Sequence, residues 1–494
     1  MKRLGMLAID LGASNGRAIL GRFDGRRLEL EEIHRFANEP VNVAGHLYWD
    51  ILRLYLETQR SLGILAAKNQ GRIDSLGIDS WGVDYGLLDS RGLLIGNPHH
   101  YRDARTETEA GRAFGLVPKS EIYRETGIAF EKFNTLFQLM AEQEGGDALA
   151  RAESLLFIPD LLGYFLTGEK GTDATLASTS QLVDAGGQCW SRRLLSALGL
   201  PEEIMPRIAV PGSAKGRISA ACGAESAAGT PVITVAGHDT ASALAAVPSR
   251  GNDTAFISSG TWSLMGVEVD RPVISERTFA LNYSNEKAFG GYSLLRNIMG
   301  AWLIQECKRQ WEEEDGRSIG YDELNEAARR ANPLVSFVDP NNAAFYLPGN
   351  MPGKIAEYCR TTGQKIPAGR GAVARCIYES LALKYRQSFE ELEAILGKDL
   401  RALHIIGGGS NNLMLNQFTA NAIGVPVISG PVEATAIGNM LIQAIALGEL
   451  DGLAQLRDVV RYSFATATFL PREVDLWEEG YNRFITITNK GSRP

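Results

Sequence analysis

Short apolar runs alternate with small polar turns near the start of the chain. Gly5–Asp10 is predicted to be a buried strand, Gly12–Gly16 a turn of small residues, and Arg17–Arg22 a second strand. Leu28–His34 alternates apolar and polar residues, as a strand with one face in water does. The chain therefore opens with strand, turn and strand, whereas a dinucleotide-binding fold opens with strand, turn and helix.

Longer periodic segments follow. The pattern predicts a helix from Ile51 to about Asn69 and a buried strand at Ile73–Ile78. Residues from about 105 to 205 are predicted to be mostly helical, with interruptions at Gly, Pro and Ser/Thr clusters. Val232–Val235 is predicted to be a strand that runs into Gly237–Thr240 and then into an alanine-rich helix.

The opening pattern recurs after a polar, bend-forming stretch at Val247–Asn252. The second strand, turn and strand are predicted at Asp253–Ile257, Ser258–Thr261 and Trp262–Val269. Two similar halves indicate a duplicated α/β fold with a cleft between the copies. We therefore expect one domain over residues 1–247 and a second over residues 248–494.

The last part of the chain carries a long predicted helix from Ala372 to about Leu396. Its apolar residues recur at helical spacing. They are Val373, Ile377, Leu381, Tyr385, Phe389, Leu392 and Ile395. The elements predicted after it are strand Leu403–Ile406, the glycines Gly407–Gly409, helix Leu413–Ile423, strand Pro426–Ile428 and a helix from about Glu433 to Leu447.

Composition and charge make some classes of binding partner unfavourable for this protein. The chain has 494 residues, of which 45% are hydrophobic and 22% charged, as in an ordinary folded protein. Its net charge of −8, without a polybasic run, disfavours nucleic acid and anionic membrane surfaces as partners. No apolar run is long enough for a membrane span, and Asp10 interrupts the only apolar stretch near the N-terminus. We therefore expect a cytoplasmic protein.

The sequence lacks the motifs of several classes of enzyme. The sequence contains neither GxxxxGK[ST] nor HExxH, which disfavours a P-loop enzyme and a zinc protease. Gly12–Gly16 matches GxSxG, but a nucleophile elbow needs a helix after the serine, and a strand is predicted there. The five cysteines are scattered and lack CxxC spacing, and the six histidines show no metal-ligand spacing.

Three glycine and serine turns remain, each at the end of a predicted buried strand. In Asp10–Arg17, small residues let backbone N–H groups approach phosphate oxygens, and Asp10 could hold a water-coordinated Mg²⁺. A plain hairpin turn explains the same residues. Ser258–Thr261 offers hydroxyls to a terminal phosphate, or forms a second hairpin. Gly407–Asn412 leads into a helix and leaves room for a purine or a phosphate.

The chemical candidate is Asp239, within Gly237-His238-Asp239-Thr240. A carboxylate at the carboxyl end of a strand faces the crevice where open α/β sheets bind ligands. In phosphoryl transfer such a group accepts the proton of the attacking hydroxyl. The alternative is a helix N-cap, a position that Asp commonly occupies.

Two further segments combine an aromatic residue with polar groups. They are Asp79–Asp84 and Tyr101–Arg105. Such residue types suit sugar hydroxyls, and they equally suit surface turns with ion pairs.

Taken in order, these motifs resemble the FGGY carbohydrate kinase family along nearly the whole chain. The most specific pieces are Gly77–Asp84, His238–Ala243, Ser258–Gly266, and Gly430–Ala434 with Gly438-Asn439. The wider resemblance takes in Ile9–Arg17, Tyr101–Arg105, Phe133–Leu136, Asn297–Gly300 and His404–Asn411. Within the family, the chain is most similar to the bacterial branch that acts on L-rhamnulose. The lysine- and tryptophan-bearing signature of other members is not matched around Glu131–Gln138.

The resemblance implies two actin-like (ribonuclease-H-like) domains, with ATP and sugar in the cleft between them. It implies ATP-dependent phosphorylation of L-rhamnulose at its 1-hydroxyl, in the degradation of L-rhamnose. Asp239 carries over as the general base, and His238 and Thr240 as substrate-contacting neighbours. Gly82 and Asn297 match sugar-binding positions.

The resemblance also implies the nucleotide site. The predicted ATP contacts are Ala13, Ser14, Asn15, Gly16, Arg17, Thr261, Gln305 and Gly408. Mg²⁺ is implied with ATP, and Asp10 is the expected water-mediated anchor. The resemblance leaves room for a disulfide between Cys359 and Cys376, but a cytoplasmic setting favours free thiols.

Three questions stay open at this stage. The substrate could be another ketose such as L-fuculose, because residue spacing does not resolve hydroxyl stereochemistry. A non-catalytic actin-like ATP- or sugar-binding protein would share the same turns, although Asp239 in its His-Asp-Thr setting speaks against it. The chain could be a monomer or a homodimer.

Overall fold

The computed structural model describes residues 3–68, 73–186 and 188–491. They form two compact units, each assembled from separate stretches of chain. The first unit comprises Met1–Arg250, Glu268–Leu295 and Glu433–Phe464, and the second comprises Gly251–Val267, Arg296–Val432 and Ala465–Pro494. The first long stretch ends close to the predicted limit at residue 247, but two later stretches group with the first unit.

The strands and helices are numbered in chain order over the described residues. The strands are β1 Leu4–Leu11, β2 Asn15–Phe23, β3 Leu28–Ala37, β4 Val41–Val43, β5 His46–Tyr48, β6 Ser75–Ser80, β7 Tyr85–Leu88, β8 Ser154–Phe157, β9 Thr172–Asp173, β10 Ile208–Ala209, β11 Ser213–Arg217, β12 Pro231–Thr234, β13 Thr254–Ser259, β14 Trp262–Val269, β15 Ser284–Ala288, β16 Gly291–Met299, β17 Ala402–Ile406, β18 Val427–Ser429 and β19 Ala467–Phe469. The helices are α1 Ile51–Ala67, α2 Glu109–Leu116, α3 Lys119–Thr126, α4 Thr135–Gly145, α5 Ala148–Arg151, α6 Ile158–Thr167, α7 Ala174–Thr179, α8 Arg192–Leu198, α9 Asp239–Ala245, α10 Glu276–Ala280, α11 Trp302–Asp315, α12 Tyr321–Arg330, α13 Met351–Thr361, α14 Arg370–Leu396, α15 Leu413–Ile423, α16 Ala434–Ala446, α17 Leu453–Ser463 and α18 Val474–Gly491.

The main sheet of the first unit has the strand order β11-β12-β6-β1-β2-β3. Every residue of β1 is buried, as its apolar sequence predicts. β1 pairs antiparallel with β2, so that Leu11 lies opposite Gly16. It pairs parallel with β6, in a register that sets Asp10 beside Asp79. This parallel register therefore brings two carboxylates to the same end of the sheet.

The second large sheet has the strand order β15-β16-β14-β13-β17-β18-β19. β13 pairs antiparallel with β14 and parallel with β17, as β1 does with β2 and β6. The predicted repeat of strand, turn and strand is confirmed. The limits of the two units fall inside β14, after Val267, and inside β16, after Leu295.

Most predicted elements are confirmed, with shifted ends. The predicted first helix is α1, and its expected end near Asn69 lies outside the described residues. The strand predicted from Ile73 begins at Ser75 and continues to Ser80, because its limits follow the pairing with β1. In α14, every residue of the predicted apolar stripe is buried except Ile395, which is half-buried.

Two further expectations concern membranes and thiols. No helix in the described part of the chain combines the length and apolar character that a bilayer span requires. Cys359 and Cys376 are both buried free thiols, in the state that the sequence favours.

Candidate active site

The turn between β1 and β2 is a tight hairpin at the end of two inner strands of the first unit's sheet. The N–H of Gly12 donates to the carbonyl of Asn15 at 2.8 Å. A side chain at position 16 would overlap the ring of Phe36, so a larger residue would have to displace that buried ring. Ser14 and Asn15 are exposed. The hairpin alternative is therefore correct as local geometry, and the same geometry leaves the tip of the turn accessible to a ligand.

Arg17 joins two carboxylates at the base of this turn. Its guanidinium contacts Oδ2 of Asp10 at 2.5 Å, and it also pairs with Glu433, at the start of α16. Burial opposes the charge on Arg17, but Asp10 and Glu433 outweigh that effect and raise its pKa. The arginine is thus held charged and in one orientation, with its side chain 20% exposed.

Asp79 is a buried carboxylate next to Asp10 in the parallel register. Asn439 on α16 donates to its Oδ2, while its Oδ1 has no hydrogen-bond partner among the described residues. Burial, then the negative charges of Asp10 and Asp239, raise the pKa of Asp79 well above its ordinary value. The three carboxylates are therefore close enough to influence one another electrostatically.

Asp239 is the first residue of α9, and His238 occupies the N-cap position without a side-chain capping bond. The N–H of Thr240 donates to Oδ1 of Asp239 at 2.5 Å. The Asp239 side chain remains 32% exposed. Burial, reinforced by Asp10, raises its pKa although the neighbouring His238 acts in the opposite direction. Asp239 is therefore not the N-cap residue, and its carboxylate has a route to a ligand.

His238 lies between Asp239 and a second, buried carboxylate. Its Nε2 is 3.5 Å from Oδ1 of Asp239, and its Nδ1 is 3.3 Å from Oε2 of Glu286 on β15. Burial disfavours the imidazolium, but Glu286, followed by Asp239 and Asp173, outweighs burial and raises the pKa of His238. The geometry is a row of carboxylate, imidazole and carboxylate.

Asp173 fixes the backbone that carries His238. Its carboxylate accepts hydrogen bonds from the N–H of Gly237 at 3.2 Å and from the N–H of Thr175 at 2.7 Å. The N–H of His238 in turn donates to the hydroxyl of Thr175 at 3.1 Å. Burial, then the charge of Asp160, raises the pKa of Asp173 to about 7. This network orients the Gly237–Thr240 segment.

Asp84 ties together the two segments whose residue types suit sugar hydroxyls. Its Oδ2 accepts hydrogen bonds from the indoles of Trp49 at 2.6 Å and Trp81 at 2.9 Å, and from the N–H of Tyr101 at 3.2 Å. Its Oδ1 accepts from the Gln138 amide at 2.7 Å. Burial raises the pKa of Asp84 to about 6 against these donors. Asp84 is thus a positioning group, and the segments are ordered rather than loose surface turns.

Gly82 is buried against α7. A Cβ at this position would lie 2.8 Å from the hydroxyl of Thr179, which accepts the N–H of Val83 at 3.1 Å. The backbone at residue 82 is therefore closely packed, and a larger residue would displace it.

The remaining predicted contacts lie in the second unit. Gly409 packs so closely on Ser259 that a side chain there would overlap the Ser259 hydroxyl, whereas Gly408 is exposed with open space around it. The carbonyl of Thr261 accepts the N–H groups of Gly300 and Trp302 at 3.1 and 3.2 Å. The turns predicted at 258–261 and 407–412 thus pack against each other. Gln305 on α11 and Asn297 on β16 are both half-buried.

Two family models match the chain. The N-terminal domain of the FGGY family of carbohydrate kinases matches residues 5–246, and the C-terminal domain of that family matches residues 255–447. The chain belongs to the FGGY family of carbohydrate kinases. The resemblance inferred from the motifs is therefore confirmed.

Curated relatives of this FGGY kinase carry the name rhamnulokinase. The protein from Bacteroides thetaiotaomicron is 46% identical over 97% of this chain and 98% of its own length. The proteins from Enterococcus faecalis and Bacillus subtilis are 41% and 40% identical, over 95% of this chain and 94% and 96% of their own lengths.

Solved structures of sugar kinases share the fold. A gluconate kinase from Lactobacillus acidophilus superimposes with a TM-score of 0.79 at 17% identity, over 99% of this chain and 98% of its own. Plasmodium falciparum glycerol kinase with ADP gives 0.80 at 16% identity, over 100% of this chain and 99% of its own. These likenesses bear on the fold, and the predicted actin-like two-domain α/β class is confirmed.

The structure of this FGGY kinase adds residues that the sequence did not single out by role. Glu286 and Asp173 carried no local signal, because each acts through a partner that is distant along the chain. Asp84 lies in a motif that the sequence did single out, but its bonds with Trp49 and Gln138 became visible only in the fold. Glu433 and Asn439 lie in motifs that carried the family resemblance. Their pairing with Arg17 and Asp79, respectively, became visible only in the fold.

Proposed function

We propose that this protein is an ATP-dependent kinase that phosphorylates L-rhamnulose at its 1-hydroxyl, giving L-rhamnulose 1-phosphate. The observation that carries the proposal is the partly exposed Asp239 carboxylate beside His238, in a chain whose curated relatives are named rhamnulokinase over nearly their whole length. A carboxylate in such a position suits the acceptor side of phosphoryl transfer.

Asp239 acts as the general base. Phosphoryl transfer depends chiefly on alignment and on charge neutralisation, and the proton of the attacking hydroxyl leaves late. Asp239 orients that hydroxyl by accepting its hydrogen bond and then takes the proton as the new bond to phosphorus forms. His238, Thr240, Gly82 and Asn297 are the proposed sugar contacts.

Glu286 acts on Asp239 through His238. Glu286 favours the protonated form of His238, and the positive imidazolium lowers the pKa of Asp239. Protonation of His238 therefore keeps more of Asp239 in the basic form that the reaction needs. Glu286 is a positioning residue, since it contacts the imidazole rather than the base itself.

Replacing Glu286 by glutamine is expected to move the acid limb of the kcat/KM profile to higher pH. Loss of the negative charge lowers the pKa of His238, so that Asp239 loses a neighbouring positive charge and its own pKa rises. Each unit of that rise gives about tenfold less carboxylate on the acid side of the profile. Asp10 and Asp173, the other charges near this pair, are unchanged in the variant.

The matched control is Glu225→Gln, at an exposed position outside this row. An unshifted acid limb in Glu286→Gln would contradict the role assigned to Glu286.

The proposed nucleotide contacts fall into two groups along the chain. In the first unit they are Ala13, Ser14, Asn15, Gly16 and Arg17, where an exposed turn and a fixed guanidinium suit phosphate oxygens. In the second unit they are Thr261, Gln305 and Gly408, and the open space around Gly408 suits a flat purine. We assign the sugar site apart from Asn297, the base and the first phosphate turn to residues 1–247, and Asn297 with the remaining ATP contacts to residues 248–494.

The carboxylates of the first unit fit the Mg²⁺ that accompanies ATP. The unpartnered oxygen of Asp79 and the nearby Asp10 are the hard oxygen donors that Mg²⁺ prefers. Asp10 is the proposed water-mediated anchor. When bound, the ion neutralises phosphate charge.

A coupled ADP-release assay with a ketose panel tests the proposed function. We expect ADP release to depend on added sugar, with the highest kcat/KM for L-rhamnulose. A higher kcat/KM for L-fuculose would replace the substrate assignment. ATP consumption that no sugar stimulates would point to the non-catalytic alternative.

Because the reaction consumes ATP, we propose that the enzyme works in the cytoplasm. We propose that it is a monomer or a homodimer.

A further inference from the structure

Two histidines and an aspartate meet in the first unit, apart from the row formed by Glu286, His238 and Asp239. His46 begins β5, and His99 and Asp103 lie between β7 and α2. Each offers one donor atom, and the three donor atoms lie within 4.8 Å of one another. Nδ1 of His46 is 3.2 Å from Oδ1 of Asp103. Ligands about 2.0–2.2 Å from a shared zinc ion lie about 3–4 Å apart, so small side-chain rotations would close the cluster.

The backbone on both sides of the cluster is fixed. The N–H of Trp49 donates to the carbonyl of Pro98, and the N–H of His100 donates to the carbonyl of Leu47, both at 2.9 Å. The carboxylate of Asp103 accepts the N–H of Leu47 at 2.6 Å. The ring of Tyr48 packs on the ring of His99, with 4.4 Å between their centroids. The donor atoms are therefore held on ordered chain segments.

A buried nitrogen and an exposed ligand add to this picture. Nδ1 of His99 is buried and has no hydrogen-bond partner in the part of the chain that the structure describes. Buried polar atoms usually have a partner, so this nitrogen calls for an explanation. The side chain of His46 is 50% exposed, which gives an ion a route from solvent.

We propose that His46, His99 and Asp103 bind a divalent transition-metal ion of the Zn²⁺, Co²⁺ and Ni²⁺ class, with its remaining positions open to water. Imidazole nitrogens suit these ions, whereas Mg²⁺ prefers oxygen donors. The bound ion cross-links β5 to the 99–103 segment and so stabilises the first unit beside Tyr101. This site goes beyond the proposed kinase activity and does not depend on it.

Cobalt binding tests the site without reference to activity. The Cys189→Ser protein, which lacks the one exposed thiol, is treated with EDTA and titrated with Co²⁺ in the absence of nucleotide. We expect a visible d–d absorption that saturates at one ion per chain. We also expect a rise in melting temperature, because an ion that binds only the folded state stabilises it.

Two variants in the same background decide the assignment. His46→Ala removes a half-exposed ligand and should weaken Co²⁺ binding at least about tenfold, the lower end of the losses seen even for outer-shell partners. His34→Ala, which replaces a histidine paired with Glu57 outside the cluster, should bind Co²⁺ like the parent. The proposal is overturned if the parent shows no saturable absorption. It is also overturned if His46→Ala retains the parent's affinity and spectrum.

Discussion

Replacing Asp239 by asparagine is expected to lower kcat by about 10²–10⁴-fold, the usual contribution of a general base. The amide has nearly the shape of the carboxylate, and its oxygen still accepts the N–H of Thr240. It cannot take a proton from the sugar hydroxyl at neutral pH. The affinities for sugar and ATP should therefore change little, while turnover collapses.

Steady-state kinetics measure the loss of turnover, and calorimetric titration with each substrate measures the affinities for sugar and ATP. The control is Asp147→Asn, which changes a carboxylate that is 77% exposed and paired with Arg151 on the surface. Its kcat should equal that of the parent. Near-parental turnover in Asp239→Asn would remove Asp239 as the base. Equal losses of turnover and of substrate affinity would indicate that the variant had disturbed the fold of the site instead.

Replacing Gly438 by alanine is expected to lower both stability and turnover. Gly438 lies on α16 where this helix packs on α9, and a Cβ there would overlap the carbonyl oxygen of Ser242. Because that oxygen belongs to backbone, no side-chain rotation relieves the overlap, and overpacking of this kind costs about 1–3 kcal/mol. Since α9 begins with Asp239, its displacement also moves the base. A shift of about 1 Å can cost about 10²-fold in rate.

Calorimetric melting and kcat together test this prediction. Gly111→Ala on α2 is the matched control, because among the described residues no atom beyond the adjacent residues and the helix's own backbone lies within 4 Å of the added Cβ. Alanine has a higher helix propensity than glycine by about 1 kcal/mol, so this variant should melt at or slightly above the parent's temperature. A Gly438→Ala protein that melts and turns over like the parent would show that α16 and α9 adjust without cost.

Local patterns determine much of the fold. β1 and β2, and later β13 and β14, are readable as strand, turn and strand because side-chain periodicity depends only on near neighbours. The same holds for the long helix α14, whose apolar stripe is nearly all buried. The ends of helices and strands are predicted less well from sequence. The strand β6 starts two residues later than its apolar run, because pairing with β1 sets its limits.

The division of the chain between the two units shows a second limit of prediction from sequence. Residues 268–295 and 433–464 group with the first unit although they follow the start of the second. This grouping depends on contacts such as that between α16 and α9, and a periodicity within one segment carries no information about which distant helix it meets.

The sequence by itself determined the family, the actin-like fold class and Asp239 as the candidate base, because these follow from contiguous motifs. The tertiary structure alone decided what surrounds that carboxylate. Arg17 pairs with a residue 416 positions away, and Asp79 accepts a hydrogen bond from one 360 positions away. Charge, burial and hydrogen bonding at a site are sums over spatial neighbours, and those neighbours are adjacent only after the chain has folded.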